Sequence, residues 1–70
     1  MKEIVFLINE AEEGGFTARA LGESIFTDAE TMDELKKNIQ EAIECHFDNP
    51  LDKPKVAHLH FVKDEILAIV

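Results

Sequence analysis

His58 and His60 stand two residues apart in an apolar stretch, a spacing that puts both imidazoles on one face of a β-strand. Such a pair supplies two ligands to a divalent ion, and a tetrahedral site needs one or two more. The remaining candidates, Cys45 and His46, sit at the end of a helical segment. Nothing in the spacing brings them to the strand. The expectation is therefore two partly exposed histidines on a sheet face or subunit interface, with no metal. Cys45 and His46 do not form a nucleophile–base pair either. Adjacent helix positions point about 100° apart, and a helix C-terminus disfavours a thiolate.

Carboxylates are the commonest chemically active groups, with fifteen Asp and Glu against seven Lys and Arg. A metal-dependent nuclease needs acids on strand interiors, converging on two ions. Here the strand interiors are apolar, and the acids fall in turns and on the helix. Glu10, Glu12 and Glu13 crowd one polar stretch that ends in Gly14-Gly15, which reads as a turn and not as a phosphate cradle. No catalytic residue and no cofactor is expected. The net charge of −8 repels phosphate backbones, so direct nucleic-acid binding is not expected. The same charge attracts a basic protein and speeds the encounter. The candidate partner-binding residues are Glu10, Glu12 and Glu13 in the turn and His58 and His60 on the strand.

The elements that must position these residues follow from hydrophobic spacing. Residues 3–8 are β-branched and aromatic on both alternating faces, as expected of a strand covered on both sides. Residues 9–15 form a hairpin turn, and residues 16–20 a second strand. A third, short strand is expected over residues 24–27, around Ile25 and Phe26. Thr31 and Glu34 have the spacing of a capping box. Asp28, Glu30 and Asp33 place negative charge near the positive end of the helix that follows. Leu35, Ile39, Ala42, Ile43 and His46 make one apolar stripe along it. Asn49-Pro50 ends it. Residues 55–63 form a fourth strand, with Val56, His58, His60 and Val62 on one face and Ala57, Leu59 and Phe61 on the other. A turn at 63–65 and a further apolar strand over 66–70, or a continuation of the fourth, complete the chain. The fold class is α+β, in the order β-β-β-α-β with one helix packed on a mainly antiparallel sheet.

Seventy residues make one domain, 1–70, and a domain this small buries only about 60% of the surface its unfolded chain exposes. Cys45 is the only cysteine, so no disulfide supplements the core. Self-association remains as the means of stabilisation. A homodimer or larger oligomer is expected, through the sheet face the helix leaves bare or through the last strand. No apolar run is long enough to span a bilayer, and no signal peptide opens the chain, so a cytoplasmic location is expected.

Gly14-Gly15-Phe16-Thr17-Ala18, the short third strand, Thr31-Met32-Asp33-Glu34-Leu35 and Asn38-Ile39-Gln40-Glu41-Ala42-Ile43 together resemble the HicB antitoxin family. The likeness covers residues 1–48 in order and spacing. It implies a partial ribonuclease H-like domain without catalytic acids, one that oligomerises and blocks a small basic toxin that cleaves messenger RNA. Two departures stand out. The chain ends at Val70 without the family's usual DNA-binding segment, so no operator binding is expected. The family's Pro-Asp-Leu-Pro-Gly-Cys stretch is replaced by Leu21-Gly22-Glu23-Ser24-Ile25-Phe26. The leading expectation is an antitoxin-like, non-catalytic binding module. The competing one is an orphan oligomeric domain that binds a small ligand or another protein through the histidine-bearing face.

Overall fold

The computed structural model describes residues 2–63 and 67–69. Four strands and one helix follow in the order β1 (Glu3–Glu10), β2 (Phe16–Ala20), β3 (Phe26–Ala29), α1 (Met32–His46) and β4 (Val56–Val62). The sheet order is β3-β2-β1-β4. β1 pairs antiparallel with β2, and β2 antiparallel with β3. β4 returns to lie parallel to β1, opposite Glu3 through Asn9. The class is α+β, with a mixed sheet of mainly antiparallel pairings.

The pleat of β1 sorts its side chains in two. Ile4, Phe6 and Ile8 point to the helix and are buried. Ala18 and Ala20 lie beside them on β2, opposite Ile8 and Phe6, and their small side chains leave room for the helix. Leu35, Ile39 and Ile43 descend from the helix into this layer. Ala42 is half-buried beside them, whereas His46, the last member of the expected stripe, is solvent-exposed. The helix starts where Thr31 caps it: Thr31 Oγ1 accepts from the Glu34 backbone N–H at 3.2 Å. It stops at His46, before the proline, when Phe47 leaves helical geometry and donates its N–H back to Ile43. Asn38 donates from its side chain to the Asp28 carbonyl at 2.9 Å and fixes the helix against β3.

Three expectations need correction. The third strand lies two residues further on, at Phe26–Ala29. Ile25 is buried in the core and receives the Ala20 N–H on its carbonyl at the turn, so regular pairing with β2 starts only at Phe26. β1 is apolar on both faces but is fully covered on one only. The helix backbone lies nearest β3 and β2, and Val5 and Leu7 on the far face are half-buried. Residues 67–69 are not in a strand. Ile66 and Val70, the ends of the expected fifth strand, and the expected turn residues Asp64 and Glu65 lie outside the described residues.

Candidate partner-binding surface

The β1–β2 turn is built to hold carboxylates in solvent. Ala11 donates to the Gly15 carbonyl and Gly14 to the Ala11 carbonyl, both at 3.0 Å. This closes the turn and leaves Glu12 and Glu13 at its tip, with Glu10 at the last position of β1; all three are exposed. Gly15 has φ +85°, and a Cβ there would stand 2.7 Å from the Ala29 carbonyl oxygen. Only glycine lets the end of β3 pass so close to the turn.

The turn does not stand alone. Glu10 and Glu12 share a groove with Ile8 and with Phe61, Val62 and Lys63 at the adjoining end of β4. Asn9 is level with Val62, so the acidic turn begins where β4 ends. Phe61 points to the helix side, but the helix does not extend over it, and it remains 56% exposed. The result is a cleft with Glu10 and Glu12 on one wall and the exposed ring of Phe61 beside Lys63 on the other, two carboxylates against one ammonium. It suits a cation carried on an apolar stem or next to an apolar anchor.

His58 and His60 belong to a different surface. They lie level with Val5 and Leu7 on the open face of the sheet, away from Phe61. His58 Nδ1 stands 3.8 Å from Glu3 Oε1, and both side chains are exposed. The candidate residues thus divide between two places: Glu10, Glu12 and Glu13 at one end of the sheet, and the histidines across its open face. Among the described residues no group of three His, Cys, Asp or Glu side chains converges as metal ligands.

Cys45 is exposed and free. Its neighbour His46 turns away to Glu23, with Nε2 3.0 Å from Oε2, and rests edge-on against Phe47. That contact pins the β2–β3 turn to the end of the helix. Glu44 pairs with Lys53 and ties the same helix end to the loop before β4. Exposed pairs of this kind contribute at most about 1 kcal/mol each. They explain why these acids face other parts of the chain, while the turn acids have solvent before them. No charged side chain is buried among the described residues. Sequence reasoning missed Phe61 and Val62 as groove residues. The one cue to them was that β4 runs apolar past its histidines to the level of the turn.

Among the described residues no helix is long and apolar enough to cross a membrane. The chain is 44% identical over 68 residues to a UPF0150 protein of Thermotoga maritima, an alignment that covers 97% of this chain and 94% of that protein. It is 46% identical over 54 residues to a UPF0150 protein of Archaeoglobus fulgidus, covering 77% of this chain and 79% of that one. No protein-family model matches the sequence. No solved structure matches either. Near-complete coverage of the Thermotoga protein at this identity means that the chain belongs to the UPF0150 family.

Proposed function

We propose that this chain is a non-catalytic binding module that sequesters a small basic protein, in the manner of a HicB-type antitoxin holding an mRNA-cleaving toxin. The observation that carries the reading is the groove lined by Glu10 and Glu12 together with Phe61, Val62 and a single cation, Lys63. Long-range attraction by a chain of charge −8 brings a cationic partner in. The aromatic wall then supplies the short-range contact that slows its departure. Glu13 at the tip of the turn adds to the field without lining the groove. Occlusion of the partner's own basic surface is the whole mechanism, and no bond is made or broken.

The experiment is capture of the tagged chain's partner from its own cell lysate, with mass spectrometry of the eluate, repeated with Glu10→Gln, Glu12→Gln and Glu13→Gln combined. The expected result is a stoichiometric small basic protein that salt releases and the triple variant fails to hold. Recovery of that protein equally by the triple variant overturns the proposal, as does an eluate holding only the chain itself.

A further inference from the structure

Three glutamates have a nitrogen partner within the fold. Glu23 meets His46 at 3.0 Å, Glu44 meets Lys53, and Glu3 stands 3.8 Å from His58. Glu10 and Glu12 have no such partner among the described residues, and Lys63 pairs with no carboxylate there, although all three line one groove.

The pleat furnishes that groove. Ile8 lies opposite Phe61, and Glu10 follows Ile8 by two residues on the same face of β1, the helix side. Glu10 and Phe61 are thus diagonal neighbours across β1 and β4. With strands about 4.8 Å apart and about 3.3 Å per residue along each, their backbones stand about 8 Å apart. Both side chains are exposed, because α1 packs over β2 and β3 and leaves this corner bare. A flat group can rest its face on the ring while its edge meets the carboxylate.

We infer that the groove seats an arginine of the basic partner, with the guanidinium flat on the Phe61 ring and its N–H groups donating to Glu10 and Glu12. Charge fixes the number. Two carboxylates against one ammonium leave one negative charge in excess, which one monovalent cation matches. Chemistry fixes the kind. An ammonium is a compact, strongly hydrated charge, and Lys63 already brings one to the groove. A guanidinium is planar and more weakly hydrated, and it stacks on an aromatic face while donating from its edge. Lys63 weakens the attraction of every incoming cation alike, so the ring contact carries a larger share of the choice among them. The inference rests on the groove being the partner's seat, as proposed above.

The test titrates the isotope-labelled chain with three acetylated, amidated tripeptides, Leu-Arg-Gly, Leu-Lys-Gly and Leu-citrulline-Gly, and follows the backbone amides by NMR. Citrulline keeps the shape of arginine without its charge. The arginine peptide is expected to shift the amides of Glu10, Glu12, Phe61 and Lys63. It is expected to bind about two- to fivefold more tightly than the lysine peptide, the range of an exposed cation–π contact. The citrulline peptide is expected to leave the groove unshifted. Phe61→Leu, at an exposed position of the edge strand, is expected to remove the preference while the lysine peptide binds as before. Equal binding of the arginine and lysine peptides, or a preference that survives Phe61→Leu, overturns the arginine seat and leaves the basic-partner reading standing. Citrulline binding as tight as that of arginine, or no shift at the groove with any peptide, overturns it as well. The lysate capture decides the proposed function independently of these outcomes. The peptide comparison on the unaltered chain decides the matter should Phe61→Leu fail to fold.

Discussion

Replacing Gly15 by alanine tests whether the acidic turn is held where it is by close approach to β3. Gly14 provides the control, because the two glycines differ in one respect. Both have positive φ, +99° at Gly14 and +85° at Gly15, so alanine at either meets the left-handed penalty of about 1–2 kcal/mol. Both substitutions also stiffen the unfolded chain, which returns about 0.4–1 kcal/mol in each case. These contributions cancel in the comparison. At Gly14 an added Cβ meets nothing within 4 Å. At Gly15 it meets the Ala29 carbonyl oxygen at 2.7 Å and Glu30 Cα at 3.3 Å, both backbone atoms that no rotamer change can move away. Overpacking of this kind costs about 1–3 kcal/mol. Gly15→Ala is therefore expected to be less stable than Gly14→Ala by that amount. Total stability for a 70-residue domain is on the order of 4–10 kcal/mol, so the difference is large. The chain has no tryptophan or tyrosine, so urea unfolding is best followed by far-UV circular dichroism, at one fixed protein concentration. Equal unfolding free energies for the two variants would refute the close packing of the turn on β3.

Leu35→Ala empties the centre of the core, where Leu35 is fully enclosed, and is expected to lower stability by about 3–5 kcal/mol in the same assay. Thr31→Ala removes the hydroxyl that accepts the Glu34 N–H and is expected to cost about 1 kcal/mol, with Thr31→Ser largely restoring it. Phe26→Ala, on a ring 65% exposed on the open face, is expected to change stability by less than about 0.5 kcal/mol; a larger loss would mean that this face is covered in solution.

The helix and the first two strands were legible because their cues are local. Thr31 marks the N-cap by type, and Leu35, Ile39 and Ile43 return at helical spacing. Phe16–Ala20 alternates cleanly and is bounded by glycines. The third strand was misplaced because Ile25 and Phe26, adjacent and both apolar, look like a strand centre. In fact one fills the core from a turn and the other opens the strand facing outward. Side-chain type cannot separate those two uses; the pairing partner does. The candidate site divides in the same way. Glu10, Glu12 and Glu13 were visible as a run, and the facing of His58 and His60 followed from alternation. That the turn meets Phe61 while the histidines look elsewhere depends on β4 lying parallel beside β1, a pairing between residues more than fifty positions apart. The Glu23–His46 contact spans 23 residues and leaves no trace in any short-range pattern.

That parallel pairing also orders events in time. β1 is the first of the four strands to be synthesised and, as an interior strand, needs a neighbour on each side. β2 reaches it through a short hairpin, but β4 is made only after the helix is complete. A nascent chain that has emerged as far as the helix presents β1 with one flank still unpaired. During that interval the nascent chain can add a strand from any other protein with a free edge. Amides bridging β1 and β2 are expected to gain protection from hydrogen exchange before those bridging β1 and β4, because closing the longer loop costs more entropy. The strand that completes the sheet is thus the last of the four to leave the ribosome, and the vulnerable interval lasts until it has emerged.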